Sequence, residues 1–411
     1  MRFIYTLTFY LIVPFLLVYL FWRGFKAPAY WQRWPERFGL FSALPVDKCL
    51  WVHAVSMGEV QAAIPLIQAL QDKFPNQSIL VTTTTPTGSQ RVKEQFGNKV
   101  WHVYLPYDLP GPIARFLTRT KPCILILMET ELWPNLLHAC QHIPIVVANA
   151  RLSVNSAKGY QRIGKLTQQM LNKVTVIAAQ TKVDAYRFIQ LGIDSSKVQT
   201  TGSIKFDNNL SIPDQNWNIN RKVWIAASTH AGEEEIILEV FTKLKQNFKK
   251  LLLVLVPRHP ERFNQVAKLC EQRGFITTRR TQGDVTTDTE IYLGDTMGEL
   301  ATLYTIADVA FVGGSLVPIG CHNLLEPAAV GIPVIMGPHV FECSEICRQL
   351  LEAQAAKQVT DVKQLHKTVN MYLNNIHLAK KTGNNGRLFV QENQGALQRL
   401  LNIIFPLITN K

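Results

Sequence analysis

From Cys49 onward, short apolar runs alternate with amphipathic ones, and this alternation restricts the chain to a narrow set of folds. Residues 49–55 (CLWVHAV) read as a buried strand, and apolar residues at 60, 63, 64, 67 and 70 then mark one face of a helix. Further strands are expected over 78–84, 123–128, 144–148 and 174–179, with helices over 113–117 and 132–140. Residues 211–220 (SIPDQNWNIN) are polar, carry a proline and lack periodicity, which predicts a linker. A second series follows, with strands at 223–227, 251–256, 290–293, 309–313 and 333–336. Apolar strands separated by helices imply βαβ units and parallel sheets. The expected fold class is therefore α/β: two doubly wound halves with a cleft between them, and ligands beyond the carboxyl ends of the strands.

Residues 3–22 (FIYTLTFYLIVPFLLVYLFW) carry no charge and are long enough to cross ~30 Å of hydrocarbon as a helix. Aromatics (Tyr19, Phe21, Trp22) and then Arg23, Lys26, Arg33 and Arg37 follow, as expected where a retained anchor meets the cytoplasmic interface. Pro14 leaves room for a kinked, shallow helix instead. The expected division is an anchor over 1–23, a first domain over 24–210 and a second over 211–411. With 43 Lys and Arg against 30 Asp and Glu, the net charge of +13 calls for an anionic partner. Seven scattered cysteines without a C-x-x-C pair fit reduced thiols rather than a disulfide framework or zinc site.

Several clusters could carry chemistry. His53-Ala-Val-Ser-Met-Gly-Glu59 spans a strand end and a helix start. Glu59 is either a general base or an acid that complements a helix dipole. Met128-Glu-Thr-Glu-Leu-Trp-Pro-Asn135 places Glu129 and Glu131 after a strand, with one of them facing the cleft if the backbone is extended. The plainer alternative is a helix start with Thr130 as cap. Arg151, in Asn149-Ala-Arg-Leu-Ser153, could bind an acidic group bidentately or pair with a neighbouring carboxylate, and Lys205, in Thr201-Gly-Ser-Ile-Lys-Phe-Asp207, could neutralise a sugar carboxylate or phosphate or be a solvated surface charge. In the second half, Arg258 and His259 end a strand, Gly294-Asp-Thr-Met-Gly-Glu299 opens a helix, and Gly313-Gly314 and His322-Asn-Leu-Leu-Glu-Pro327 follow another strand. Gly313 and Gly314 allow close backbone approach, amides at the start of the 323–330 helix could hold phosphate, and Glu326 could bind ribose hydroxyls. No Walker A or G-x-G-x-x-G run occurs, and no D-x-D, H-E-x-x-H or EF-hand loop signals a metal.

Taken in order, HAVSMGE (53–59), PTGSQRV (86–92), ETELWPN (129–135), NARLS (149–153), TGSIKFD (201–207), VPRHPERF (256–263), GDTMGEL (294–300), FVGGSL (311–316), HNLLEP (322–327) and GPH (337–339) closely resemble the bacterial 3-deoxy-D-manno-octulosonic acid (Kdo) transferases. The resemblance covers nearly the whole chain. It implies the GT-B fold, two Rossmann-like domains behind a membrane-anchor helix. It implies a lipopolysaccharide enzyme of Gram-negative bacteria, at the cytoplasmic side of the inner membrane. Such an enzyme moves Kdo from CMP-Kdo to lipid IVA with inversion and releases CMP, without metal or other cofactor. By motif match, Glu59 falls on the proton acceptor, and Glu129 and Lys205 on transition-state-stabilising residues. Arg258 and His259, Met297, Gly298 and Glu299, and Asn323, Leu324, Leu325 and Glu326 fall on CMP-binding segments. Both substrates are anionic, which suits the basic chain, and inner-membrane lipids complete the expected partners. The competing readings are a UDP-sugar transferase or epimerase of the same fold and a basic membrane-surface or nucleic-acid-binding protein. The last would leave the strand-end acids unexplained, and no nucleic-acid partner is expected.

Overall fold

The structure is a computed structural model describing all residues except 26, 208–216, 218, 342 and 410–411. The predicted linker therefore lies, apart from Trp217, Ile219 and Asn220, outside the described residues. The chain divides into two compact units, Met1–Asn208 with Gln394–Lys411, and Asn209–Asn393.

The first unit is built on seven parallel strands: β1 (Cys49–His53), β2 (Ser78–Thr83), β3 (Trp101–Tyr104), β4 (Pro122–Met128), β5 (Ile145–Ala150), β6 (Val176–Ala179) and β7 (Val198–Thr200). They are ordered β3-β2-β1-β4-β5-β6-β7. Strand residues alternate between two apolar layers. Leu50, Val52, Ile79, Val81, Ile124 and Ile126 face one way, and Cys49, Trp51, Leu80, Leu125 and Leu127 the other. Connections run outward in both directions from β1, so the order reverses between β1 and β4, where doubly wound sheets open a ligand crevice.

The first of those layers corrects the expected domain boundary. Helix Ala396–Thr409 belongs to the first unit and not to the second. Its Ala396, Leu400, Leu401, Ile404 and Ile408 pack into the layer formed by strands β1, β2 and β4 and helix Met57–Lys73. Burying each large aliphatic contributes about 1.5–3 kcal/mol, so an exposed sheet face draws the chain's last apolar helix back to it. Asp207 fixes the return, because its carboxylate accepts from the amides of Gly395 (2.6 Å) and Leu397 (2.5 Å).

The N-terminal apolar run is a helix, Arg2–Gly24, continuous through Pro14. Its partly or fully covered positions are 2, 5, 6, 9, 13, 16, 17, 20 and 24, spaced three or four apart. This stripe rests on the unit. Thr6 donates to Asn135 Oδ1 (3.1 Å), and the Phe9 ring meets Trp133 edge-on. Gly24 leaves room for the Trp31 indole, which occupies the place where a Cβ would stand. The remaining faces expose Phe3, Leu7, Leu11, Phe15, Val18, Phe21 and Trp22. Two cations expected at the interface serve the fold instead. Arg33 pairs with Glu36 at 2.7 Å and donates to Ser89 Oγ, while Arg37 is buried, donating to the Thr84 carbonyl. Lys26 lies outside the described residues.

The second unit holds β8 (Val223–Thr229), β9 (Leu252–Pro257), β10 (Thr277–Arg279), β11 (Ile291–Leu293), β12 (Val309–Val312), β13 (Val334–Met336) and β14 (Ala356–Gln358). This sheet is parallel too, ordered β10-β11-β9-β8-β12-β13-β14, and its order reverses between β8 and β12. Helices Glu233–Lys245 and Val362–Asn374 cover one face with Ile237, Phe241, Leu244, Leu365, Val369 and Leu373.

Candidate active site

In the first unit the predicted residues gather at the β1/β4 reversal. Glu59 follows β1, in the first turn of helix Met57–Lys73. Ser56 and Glu59 form a close relative of a capping box. Glu59 N donates to Ser56 Oγ, while Glu59 Oε2 accepts from the Val55 amide at 2.8 Å and Oε1 from Ser56 Oγ at 3.3 Å. The helix-start reading is thus correct as far as it goes, but the carboxyl group is more than a cap. Burial, the largest cause, pushes its pKa up to about 7; Glu131 and Glu129 push the same way, and the Val55 bond opposes them. Gly58 is exposed, and a Cβ there would meet only Ser56 Oγ at 3.9 Å. The turn does not demand glycine, and the position of its missing side chain is open.

Glu129 directly follows β4 with φ of 56°, a left-handed conformation that is uncommon outside glycine and costs of order 1 kcal/mol. Its Oε1 stands 3.4 Å from Lys205 Nζ. The left-handed residue breaks the extended alternation, and so the sequence expectation that only one of the two acids faces the ligand region does not describe the geometry. Glu131 lies close enough to raise the pKa of Glu59, and Glu129 that of both. The Glu131 pKa also rises to about 7, burial first, although Trp133 Nε1 donates to it at 2.8 Å. Thr130 is not a helix cap. Its hydroxyl donates to the Arg151 carbonyl, and Asp108 caps helix Pro134–Ala139 by accepting from Asn135 N (3.0 Å) and Leu136 N (2.8 Å). Lys205 is held in reach by Asn149, also left-handed (φ 53°), whose Oδ1 accepts from Ile204 N at 3.1 Å. Arg151 is exposed and makes no ion pair among the described residues.

In the second unit the predicted residues follow three strands of the sheet, on loops or, for Leu325 and Glu326, at the start of helix Leu325–Val330. Arg258 and His259 follow β9, Met297, Gly298 and Glu299 follow β11, and Asn323 to Glu326 follow β12. Their side chains are not equally available. Glu299 is bound by Arg280 (Nη2 to Oε1, 3.0 Å) and by the Thr296 hydroxyl, and the Arg280 bonds, the largest cause, hold its pKa below the ordinary value. Met297 is exposed and Gly298 has a φ of 86° with open space around it. Leu324 and Leu325 are core side chains, so only their backbone could reach a ligand. The Leu325 amide is already taken by Asn323 Oδ1 at 3.0 Å. Asn323 Nδ2 donates to Glu326 Oε1 at 2.9 Å, and burial raises the Glu326 pKa. The amides of Gly314, Ser315 and Leu316, beside the Gly313-Gly314 pair expected to admit a ligand close to the backbone, are filled by the buried Glu233 carboxylate at 2.7–3.0 Å.

Sequence reasoning passed over His230, which directly follows β8, and gave His322 no role of its own. Their Nε2 atoms are 2.7 Å apart, and the His259 ring centroid is 5.2 Å from that of His230. The signal available was positional, a histidine immediately after a buried strand. Among the described residues, no group of three His, Cys, Asp or Glu is arranged to hold a metal.

Residues 32–208 match a family profile described as 3-Deoxy-D-manno-octulosonic-acid transferase (kdotransferase), and residues 226–389 match that of glycosyl transferases group 1. A 3-deoxy-D-manno-octulosonic acid transferase of Haemophilus influenzae is 44% identical, covering 98% of both chains. A probable mitochondrial 3-deoxy-D-manno-octulosonic acid transferase of Arabidopsis thaliana is 36% identical, over 89% of this chain and 86% of the other. The crystal structure of a putative UDP-N-acetylglucosamine 2-epimerase from Listeria monocytogenes matches at a TM-score of 0.56 and 15% identity, over 89% of this chain and 97% of that one. At that identity the likeness concerns fold, and it agrees with a GT-B-type α/β protein. The sequence similarity goes further: the chain belongs to the 3-deoxy-D-manno-octulosonic acid transferase family, glycosyltransferases of lipopolysaccharide biosynthesis.

Proposed function

We propose that this chain transfers Kdo from CMP-Kdo to lipid IVA with inversion at the anomeric carbon, releasing CMP. The observation that carries the proposal is the Glu59 carboxyl group at the β1/β4 reversal, raised to about 7 and grouped with Glu129, Glu131 and, through Glu129, Lys205. A base is most useful when its pKa lies near the working pH, since it is then both ionised and strong enough to take a proton. In this reading a sugar hydroxyl of lipid IVA gives its proton to Glu59 as its oxygen bonds to the anomeric carbon. The bond from that carbon to the phosphate oxygen breaks, and its electron pair leaves with CMP. Lys205, held beside Glu129, stabilises negative charge on the reacting sugars, and exposed Arg151 offers a further cation for an anionic group. The second unit holds the nucleotide: Arg258 and His259 at the phosphate, and Glu326 and Asn323 at the ribose. No step in this scheme uses a metal.

The exposed apolar faces of helix Arg2–Gly24 support attachment to the cytoplasmic face of the inner membrane. Because a stripe of the same helix rests on the first unit, the attachment keeps Glu59 and the acceptor's sugars at one surface, raising the acceptor's effective concentration. The test is incubation of the purified protein with CMP-Kdo and lipid IVA, followed by product mass. Products heavier than lipid IVA by whole Kdo units, with CMP released in equal number, support the proposal. Unchanged lipid IVA beside intact CMP-Kdo refutes it.

A further inference from the structure

Trp133 stands between the N-terminal helix and the acid group of the first unit. On one side the Phe9 ring of helix Arg2–Gly24 meets its indole edge-on, with centroids 6.5 Å apart, and Tyr5 stacks on Phe9 at 5.6 Å. Two residues on, Asn135 accepts from the Thr6 hydroxyl at 3.1 Å and donates through Nδ2 to the Asp108 carbonyl at 2.8 Å. On the other side the indole Nε1 donates to Glu131 Oε2 at 2.8 Å. An indole is one rigid plane. A single orientation of Trp133 therefore makes both the contact with the helix and the bond to the acid.

That bond opposes burial. Burial favours neutral Glu131, and the N–H donor favours the ionised form. Once ionised, Glu131 makes it harder for Glu59 to lose its proton, and Glu129 acts on Glu59 in the same sense. The other titratable groups facing these acids are Lys205, 3.4 Å from Glu129, and Tyr160 of helix Val154–Arg162, on which Glu131 acts. On the helix side of Trp133 stand Tyr5, Arg2 and Asp108, whose carboxylate accepts the amides of Asn135 and Leu136.

We propose that Trp133 is a positioning residue through which the seating of helix Arg2–Gly24 governs the proton affinity of Glu59. The proposal rests on the reading of Glu59 as the base. With the indole bond in place, Glu131 ionises alongside Glu59 and holds the proton on Glu59 to higher pH. Without it, Glu131 stays protonated to higher pH, its negative charge is missing when Glu59 titrates, and Glu59 ionises at lower pH. The same helix exposes Phe3, Leu7, Leu11 and Phe15, so membrane attachment and the protonation of the base are linked through one side chain.

The test is the pH dependence of Kdo transfer to a detergent-dispersed acceptor at saturating CMP-Kdo. Wild type is compared with Trp133→Phe, Phe9→Ala and Glu131→Gln, and with each of the first two substitutions in the Glu131→Gln background. Trp133→Phe keeps an aromatic ring in place and removes the donor. The expected result is an acid limb whose midpoint lies about half a pH unit or more below the wild-type value in all three single variants, with CMP affinity unchanged. In the Glu131→Gln background neither substitution should move the midpoint further, because both act through that carboxyl group. A wild-type midpoint in folded Trp133→Phe or in Phe9→Ala overturns the proposal. So does a shift that persists beside Glu131→Gln, which loosened packing alone would produce. If Trp133→Phe does not fold, Phe9→Ala with and without Glu131→Gln decides the matter. A wild type with no acid limb near pH 7 fails in a distinguishable way, because it refutes Glu59 as the base and the proposal with it.

Discussion

Replacing Glu59 with Gln should stabilise the first unit while removing activity. The folded protein holds the Glu59 proton up to about pH 7, against 4.5 for an ordinary glutamate. Between those values the folded state binds more protons than the unfolded chain, so stability falls as pH rises, and the full cost is reached above pH 7. At 1.36 kcal/mol per unit, a displacement of roughly 2.5 units corresponds to about 3 kcal/mol. Glutamine, like the protonated acid, keeps an oxygen for the Val55 amide, and the stronger bond of the ionised form is already contained in the displacement. At pH 8 the variant should therefore gain about 3 kcal/mol, roughly 6–12 °C in Tm for a unit of this size. At pH 4 the glutamate is protonated in both states and the gain disappears. The assay is thermal unfolding of wild type and Glu59→Gln across pH 4–8. Because the carboxyls interact, Glu131→Gln should shift the wild-type transition as well, and the titration steps belong to the group. A variant no more favoured at pH 8 than at pH 4 would refute the argument that Glu59 is destabilised by burial and like charge.

Lys205→Met should slow Kdo transfer by about 10²-fold or more while leaving CMP affinity unchanged, measured by steady-state rates and calorimetry. Gly58→Leu should fold normally, since only Ser56 Oγ approaches that position, yet raise KM for the lipid acceptor; an unchanged KM would mean that the open position is not used. Ile404→Ala should destabilise the first unit by about 2–5 kcal/mol in denaturant unfolding, and the loss should vanish if helix Ala396–Thr409 is not part of that core. Removing residues 2–24 should release the protein from sedimented membranes and expose the surface around Asn135 and Trp133, with catalysis on a detergent-dispersed acceptor affected less than membrane attachment.

Much of the fold was legible because period-2 and period-3.6 patterns record which faces are buried. The runs CILILM and LLLVLV, short and continuously apolar, fit strands covered on both sides, and they became β4 and β9. The last helix shows where periodicity falls silent. Its apolar face is evident, but the sheet it covers is chosen by tertiary fit, and Asp207 is distant in sequence from the amides it caps. The site divides in the same way. Glu59, Glu129 and Lys205 were visible as charged residues near strand ends, but the sequence left each a plainer reading, and their roles came from the resemblance to the Kdo transferases. The close grouping of Glu131 with them depends on one left-handed residue, Glu129, that no propensity announces. His230 was missed because its partner, His322, is 92 positions away. Glu233 was missed because a carboxylate in the first turn of a helix reads as a complement to the helix dipole until the amides it fills are seen.

The most direct test of the central claim, that the Glu59 carboxylate takes the acceptor's proton, is the rate of Kdo transfer as a function of pH for wild type and Glu59→Gln, with CMP affinity measured on the same preparations. The wild-type rate should climb through about pH 7 as Glu59 ionises and then level off. The variant should be slower by about 10²–10⁴-fold at every pH, with CMP binding intact. A folded, CMP-binding variant that keeps the wild-type rate and pH profile would contradict the account.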